Sequence, residues 1–182
     1  MRDGAELHVL TRGGGQLPVE ELRHGVVVHR VAEPPLPKDL SAFVCWVEAM
    51  NADMRALGAE LCHQRRFSVV HSHDWLVADA AEGLSRGFGL PWLATVHATE
   101  FGRHQGWVQN HPQSHIHAAE RAMVRRADRV ITCSRYMRQH VATVFGVPTR
   151  RIAVIPNGID PRDAVVCGPG AGSGQSFPTN LP

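Results

Sequence analysis

Two clusters of polar and aromatic side chains follow two successive apolar runs of the sequence. Residues 71–75, HSHDW, come after the first run, and residues 97–100, HATE, come after the second. Imidazole, carboxylate and indole groups can exchange protons, accept hydrogen bonds from hydroxyl groups or stack against a ring. Ligands of an open parallel sheet bind just outside the carboxyl ends of its strands. If the two runs are neighbouring parallel strands, the sequence predicts one binding crevice where both clusters meet.

The second cluster continues into a long polar segment, residues 98–113. This segment carries Glu100, Arg103 and Trp107 together with further polar side chains. A segment of that length without secondary structure is usually functional or mobile in a compact domain. We therefore expect it to form another wall of the same crevice.

The chain contains 12 histidines, which raises the question of a metal site. Two groups are closely spaced, residues 71 and 73 and residues 111, 115 and 117, yet no H-E-x-x-H motif is present. We expect no bound metal and interpret the histidines as polar residues of loops and of the crevice. A metal-dependent hydrolase is the last-ranked alternative, and stoichiometric zinc in protein purified without chelators would support it.

Composition restricts the class of protein. The chain has 182 residues, of which 43% are apolar, enough for one domain with a true core. The net charge is +2 and the cations are dispersed, which does not favour nucleic-acid binding. No apolar run approaches about 18 residues, so we predict no membrane span. The amino-terminal residues lack the apolar region of a signal peptide, and we expect a cytoplasmic protein.

The four cysteines, Cys45, Cys62, Cys133 and Cys167, are far apart and form no C-x-x-C pair. Such spacing is typical of reduced thiols in a cytosolic protein rather than of a disulfide framework or a zinc site. The first three lie inside apolar segments, and we therefore expect them to be mostly buried.

Apolar periodicity predicts strands that alternate with helices. The clearest helix covers residues 39–63, where Asp39 or Ser41 can cap its start, and Ser134 and Gly146 bracket another helix. The predicted strands cover residues 6–11, 25–31, 67–71, 91–96, 129–133 and 151–155, and the predicted helices cover residues 39–63, 76–86, 114–126 and 135–145. This alternation indicates an α/β fold with a Rossmann-like, mostly parallel sheet and helices on both faces.

Four segments carry a resemblance to a known family. In order along the chain they are VVHSHDW, LATVHATEFGRHQG, ERAMVRRADRVITCS and RIAVIPNGID. Their order and spacing resemble a retaining family 4 glycosyltransferase, and in particular the bacterial glycogen-synthase-like α-glucan glucosyltransferases. The resemblance covers about residues 7–160. It implies the N-terminal, acceptor-side domain of a two-domain GT-B fold, in which the C-terminal domain holds most of the nucleotide-sugar site.

The resemblance also implies roles for particular residues. In such enzymes the strand that ends in T-x-H places a histidine at the transferred sugar, which here makes His97 the expected catalytic residue. The turn His73-Asp74-Trp75 would line the same cleft, and Asn157 lies in the segment that leads into the interdomain crossover. Glycosyl transfer requires that sugar hydroxyls be oriented and that separated charge be stabilised, which suits these residue types.

Further substrate contacts are expected from the second cluster and from the long polar segment. Glu100, like Asp74, can accept hydrogen bonds from sugar hydroxyls, and Arg103 could meet a phosphate or an acceptor hydroxyl. Trp107, and also Trp75, offers an apolar ring face on which glucose can stack. Two alternatives stay open: Asp74 could instead cap the following helix, and Trp75 could be a core residue.

The sequence departs from the family pattern at both ends. The family's first strand and glycine-rich loop are absent, and residues 13–15, GGG, come too late to replace them. The basic pair and the E-x7-E segment of the donor site are also absent. We thus expect a domain over residues 5–160, with an unpaired strand edge and exposed apolar surface, followed by a disordered Gly/Pro/Ser-rich tail over residues 161–182.

These departures define the expected function. The leading hypothesis is one half of an enzyme that transfers glucose from UDP- or ADP-glucose to an α-1,4-glucan acceptor. This half would be inactive alone and would need a C-terminal donor-binding polypeptide, with no cofactor beyond the donor sugar. The alternative is a non-catalytic remnant that binds carbohydrate or a partner and needs a second polypeptide.

Overall fold

Parallel strands alternate with helices through most of the chain. The computed structural model describes residues 4–32 and 35–158. The strands are β1 Leu7–Arg12, β2 Glu20–Arg23, β3 Val26–Val31, β4 Val70–His73, β5 Trp92–Val96, β6 Arg129–Thr132 and β7 Ile152–Val154. The α-helices are α1 Leu40–Gln64, α2 Ala78–Phe88, α3 Glu100–Arg103, α4 Gln113–Arg126 and α5 Arg135–Phe145. The α/β class and the mostly parallel pairing are confirmed.

The strands form two sheets rather than one. The first has the order β1–β3–β2, with β1 parallel to β3 and β2 antiparallel to it. The second has the order β4–β5–β6–β7 and is parallel throughout. In the second sheet each strand is joined to the next by a helical connection, which brings the four carboxyl ends to one edge.

The short strand β2 was not predicted, because its sequence EELR has a single apolar residue and gives no periodic pattern. A local signal for it nevertheless exists. His24 and Gly25 link β2 to β3 with φ angles of 51° and 80°. Two consecutive residues with positive φ form the turn that joins two-residue hairpins. The pair His-Gly between two extended segments could therefore have indicated the hairpin.

Helix α1 is formed as its sequence predicts. Asp39 caps it by accepting a hydrogen bond from the Ala42 amide at 2.9 Å. The apolar stripe is buried and includes Val44, Val47, Met50, Met54 and Leu61. This helix packs along α2 and covers β1 and β3.

Asn51 joins α1 to the start of α2. Its side chain is 2% exposed; Nδ2 donates to the Val47 and Leu76 carbonyl groups, and Oδ1 accepts from the Ala80 amide. A buried amide with its hydrogen bonds made fixes geometry without a desolvation penalty. The contact therefore sets how the connection after β4 lies against α1.

The expectation of mostly buried cysteines is wrong. Cys45 is exposed, and Cys62 and Cys133 are half-buried, all three as free thiols. Cys45 lies between Val44 and Trp46, which occupy the buried side of α1, and helical geometry turns it outward. Burial raises the pKa of the Cys62 thiol. Cys167 lies outside the described residues, as does the predicted tail over residues 161–182. Within residues 4–32 and 35–158 no helix is long and apolar enough to cross a bilayer.

Candidate functional site at the carboxyl ends of the parallel strands

Strand β4 continues further than predicted. The apolar run predicted a strand over residues 67–71, whereas the strand covers Val70–His73. Pairing with β5 decides this, because Val70 lies opposite Trp92 and His73 opposite Thr95. His71 and His73 are consequently strand residues on the same face, with ring centroids 4.6 Å apart. Backbone pairing with β5, rather than the hydrophobicity of the segment, fixes where β4 ends.

A row of imidazoles crosses the ends of β4 and β5. His73 Nδ1 lies 3.0 Å from His97 Nε2, and the two rings stack with centroids 5.3 Å apart. His71 Nε2 lies 2.7 Å from the Thr95 hydroxyl. Each short contact needs one donor and one acceptor. His73 and His97 therefore fix each other's ring orientation, and the Thr95 hydroxyl fixes that of His71. The predicted meeting of the two clusters therefore takes place through His73 and His97.

The surroundings of His71 and His73 favour their neutral forms. Burial lowers the pKa of His71, and the nearby charges of His73 and His97 lower it further. Burial also lowers the pKa of His73, again with help from His97. A neutral imidazole has one donor and one acceptor nitrogen, which suits hydrogen bonding to a hydroxyl group.

Asp74 positions the backbone at His97. Its Oδ1 accepts a hydrogen bond from the His97 amide at 2.8 Å, and its own amide donates to the Thr95 carbonyl at 2.8 Å. Its φ of 59° and ψ of −179° form a strained combination for a residue with a side chain, and these hydrogen bonds hold it in place. It makes no capping bond to the turn that follows, so the alternative role as a helix cap is wrong.

We expect Asp74→Ala to lower the free energy of unfolding by about 1–3 kcal/mol, because alanine lacks the acceptor for the His97 amide. Asp74→Asn is the matched control, since its side-chain oxygen can accept the same bond. We expect it to cost less than about 1 kcal/mol. Urea unfolding measures both variants, and equal losses would contradict this role of the carboxylate.

The segment after β5 is folded more tightly than a long loop. Thr99 caps the short helix α3 by accepting from the Gly102 amide at 3.0 Å, and its hydroxyl lies 2.7 Å from His140 Nε2 of α5. The Glu100 amide donates to both carboxylate oxygens of Glu120 in α4, at 2.8 and 3.0 Å. Helices α4 and α5 therefore hold the beginning of this segment against the end of β5.

The second cluster is only partly available to a ligand. Glu100 is 4% exposed, and its carboxylate meets His104 Nε2 at 3.1 Å and the Arg103 guanidinium at 3.5 Å. The Arg103 side chain is half-exposed. Trp107 is 75% exposed and presents its ring to solvent. Of the three ligand contacts predicted in this segment, Arg103 and Trp107 are exposed, while Glu100 organises the segment from within.

Trp75 lies in the core. It is 9% exposed and packs edge-on against Phe43, with ring centroids 6.3 Å apart. This low exposure favours the core alternative. A groove of about 330 Å³ lies between α1, α2 and α4, and Trp75 contributes to its lining. None of the histidines of the crevice lines this groove, so we assign the chemistry to the strand ends instead.

The ends of β6 and β7 complete the crevice. The Cys133 thiol donates to Asn157 Oδ1 at 3.3 Å and lies 3.6 Å from His97 Nδ1. His97, at the end of β5, consequently contacts residues from the ends of β4 and β6. Sequence reasoning missed Cys133, because it ends an apolar segment and its polar neighbour Ser134 indicated only a helix cap. Glu120 was missed as well, although a glutamate on the apolar side of a helix, between Ile116 and Met123, is a signal.

Of the predicted site residues, His73 and Asp74 contact His97 directly, and Asn157 is linked to it through Cys133. Arg103 and Trp107 lie on the segment that continues from His97. Within residues 4–32 and 35–158 no group of three histidine, cysteine or acidic side chains is arranged to hold a metal ion. The arrangement can orient hydroxyl groups through neutral imidazoles, an amide and a backbone segment of fixed geometry.

Parallel strands that alternate with helices, with a polar crevice at their carboxyl ends, define a Rossmann-like ligand-binding domain. The sequence profile of Glycosyltransferase Family 4 matches residues 1–163. The chain is 39% identical over 150 residues to glycogen synthase of Mycobacterium tuberculosis, an alignment that covers 78% of this chain and 36% of that protein. The chain therefore belongs to glycosyltransferase family 4.

Other similar proteins are named for different activities. The chain is 30% identical over 167 residues to a D-inositol 3-phosphate glycosyltransferase of Frankia alni, covering 86% of this chain and 40% of that protein. The structure of sucrose-phosphate synthase from Thermosynechococcus elongatus superimposes with a TM-score of 0.66 at 19% identity, covering 87% of this chain and 40% of that chain. This likeness shows the shared fold. The chain spans about two fifths or less of the length of these proteins.

Proposed function

We propose that this domain forms the acceptor-side wall of a retaining glucosyltransferase whose acceptor is an α-1,4-glucan. The observation that carries the proposal is the placement of His97, which is held by His73, the Asp74 carboxylate and Cys133 at the point where three strand ends meet. The 39% identity to a glycogen synthase supports the choice of glucan over other acceptors.

In this proposal His97 lies against the transferred sugar and hydrogen-bonds one of its hydroxyl groups through a ring nitrogen. His73 fixes the orientation of that ring, and Asp74 fixes the backbone beneath it. Asn157 contributes an amide at the end of the crevice that leads towards the donor side. Such positioning aligns the reacting centres before transfer, which is the main contribution that a protein makes when the leaving group is already activated.

Arg103 and Trp107 extend the acceptor wall away from His97. Trp107 is 75% exposed, and a tryptophan ring that is open to water offers a flat apolar face for a glucose ring. Arg103 keeps about half of its side chain exposed beside Glu100, so its guanidinium can also meet an acceptor hydroxyl. A glucan chain would thus pass from Trp107 towards His97.

The donor sugar, UDP- or ADP-glucose, is bound mostly by a second polypeptide region that corresponds to the remaining length of the relatives. The chain covers 36% of the glycogen synthase to which it aligns. We therefore expect this chain alone to bind the acceptor and not to transfer glucose, and we expect no cofactor or metal beyond the donor.

Binding of maltoheptaose to the purified chain, followed by NMR titration, tests the acceptor site. We expect weak binding with a Kd on the order of 1 mM, weakened by about ten-fold in His97→Ala and in Trp107→Ala. Leu22→Ala is the control, because Leu22 is 75% exposed on β2 of the other sheet and should leave binding unchanged.

Three outcomes would count against parts of the proposal. Glucose transfer from UDP- or ADP-glucose to glycogen by the pure chain would overturn the division of donor and acceptor sites. Binding of D-inositol 3-phosphate in place of maltoheptaose would overturn the glucan assignment and favour the acceptor chemistry of the Frankia alni relative. Maltoheptaose binding that is insensitive to both substitutions would remove the acceptor from this crevice.

A further inference from the structure

Strand β2 forms an outer edge of the first sheet. Within the described part of the chain it pairs with β3 alone, and the Arg30 amide of β3 donates to the Val19 carbonyl at 2.8 Å. Successive residues of an antiparallel strand turn their backbone groups to opposite sides, so Val19 and every second residue after it face β3. The backbone N–H and C=O groups of Glu20 and Leu22 therefore point away from the sheet.

Exposed apolar side chains accompany this edge. Leu22 is 75% exposed, Val19 is 72% exposed, and Leu17, just before the strand, is 58% exposed. Leu22 and Val19 lie on opposite faces of β2, because side chains alternate along a strand. The apolar groups thus flank the edge from both faces. Single exposed apolar residues are common on protein surfaces, but a group of them beside unpaired backbone groups marks a surface for a partner.

A second strand added along β2 would satisfy the free backbone groups, and β2 of a second copy of the chain is such a strand. Two copies of one strand can exchange these hydrogen bonds around a twofold axis when they run antiparallel. Hydrogen bonds form only where outward-facing residues meet one another. Three registers of β2 on itself meet this condition: Leu22 opposite Leu22, Glu20 opposite Leu22, and Glu20 opposite Glu20.

Charge selects one of these registers. With Leu22 opposite Leu22 of the second copy, Glu21 of each copy lies opposite Arg23 of the other, which gives two pairs of opposite charge. With Glu20 opposite Leu22, Glu21 lies opposite Glu21, and like charges repel. With Glu20 opposite Glu20, two carboxylates meet, and Pro18, which has no N–H, lies opposite Leu22. The register centred on Leu22 is therefore the complementary one.

The two charged residues have capacity for these pairs. Arg23 is exposed and forms no ion pair within residues 4–32 and 35–158. Glu21 Oε1 accepts from the Arg30 guanidinium at 2.7 Å, which leaves Oε2 for a second donor. Charged side chains usually keep an edge strand from pairing. Here two opposite charges lie two residues apart on one face, so they favour pairing of the edge with its own copy.

From these observations we propose that β2 is a dimer interface, at which β2 of a second copy pairs antiparallel with Leu22 on the twofold axis. The first sheets of the two copies then form one continuous sheet with β2 at its centre. Because β2 has only 4 residues, the association is weak, with a Kd on the order of 0.1 mM. His97 belongs to the other sheet, so this inference does not depend on the acceptor proposed above.

The test combines sedimentation equilibrium with amide hydrogen exchange of the full chain from about 10 μM to about 1 mM. We expect the mass to rise from monomer towards dimer over this range. Exchange of the Leu22 amide should slow by about four-fold, because that amide is free only in the monomer. The Glu21 amide, which faces β3, is the internal control and should exchange at one rate throughout.

Two variants examine the backbone and the charges separately. Leu22→Pro removes the outward donor and leaves the ladder with β3 complete, so we expect a monomer at every concentration. Arg23→Glu places carboxylates opposite each other across the interface and should weaken the dimer by about ten-fold or more. Arg150→Glu is the control, because it makes the same charge change at an exposed residue between α5 and β7 and should leave the Kd unchanged.

Circular dichroism establishes that each variant is folded, and Arg23→Glu keeps the test valid if Leu22→Pro does not fold. A chain that stays monomeric at about 1 mM would overturn the proposal. A dimer that persists in the folded variants would place the interface elsewhere on the molecule. Slow exchange of the Leu22 amide at every concentration would mean that another segment of the same chain covers the edge, which also contradicts the proposed dimer.

Discussion

Phe145→Ala is expected to lower the free energy of unfolding by about 3–5 kcal/mol, the largest single effect that the core predicts. Phe145 is 2% exposed and is the last residue of α5. It belongs to a cluster that includes Val141, Val147 and Ile152, and its ring lies 5.3 Å from that of His117. Removing the ring leaves a cavity where α4, α5 and the second sheet meet.

The measurement is urea unfolding followed by circular dichroism, and α5 itself supplies the control. Tyr136 lies in the first turn of the same helix and is 76% exposed. Tyr136→Ala should change the free energy of unfolding by no more than about 0.5 kcal/mol. Similar losses in the two variants would show that α5 contributes through its helicity rather than through the buried ring.

Glu120 should make the stability fall as the pH rises through neutrality. Its carboxyl group is 2% exposed, and burial raises its pKa from 4.5 to about 7, while the hydrogen bond from the Glu100 amide opposes that rise. The pKa in the folded state lies above the unfolded value. The associated stability is therefore complete below pH 4.5 and is lost as the pH rises through 7. The difference corresponds to about 3 kcal/mol.

Other buried groups change the stability with pH in the opposite direction. Burial lowers the pKa of four imidazoles, those of His29, His71, His73 and His117. The stability that these imidazoles contribute is present above the ordinary histidine pKa of 6.5. It is lost as the pH falls through their lower pKa values in the folded state. A pH series on the unaltered chain would mix both slopes, so the contribution of Glu120 must be isolated by substitution.

Glu120→Gln isolates the contribution of Glu120 to the pH dependence, because glutamine keeps an oxygen acceptor for the Glu100 amide and does not titrate. We expect urea unfolding between pH 5 and 8.5 to show a loss of up to about 3 kcal/mol that disappears in Glu120→Gln. Glu60→Gln is the control on an exposed site of α1 and should leave the slope unchanged. A slope that persists in Glu120→Gln would mean that this carboxyl group is not the group responsible.

Local pattern was sufficient for most of the elements, though not for β2, and for the meeting of the two polar clusters. The apolar stripe of α1 and its cap at Asp39 follow from spacing within one helix, and Ser134 and Gly146 delimit α5 for the same reason. The rule that parallel strands end at a common edge then brought His73 and His97 together without any knowledge of their distance. These inferences depend on neighbours within a few residues or on a general property of parallel sheets.

The tertiary structure decided what depends on contacts between distant segments. Pairing with β5 moved the end of β4 to His73, and packing against Phe43 buried the Trp75 indole. Glu120 and Cys133 join the site through contacts across 20 and 36 residues of chain, which no local pattern records. The division into two sheets is of the same kind, because whether two strands pair is settled by backbone hydrogen bonds between segments that packing alone brings together.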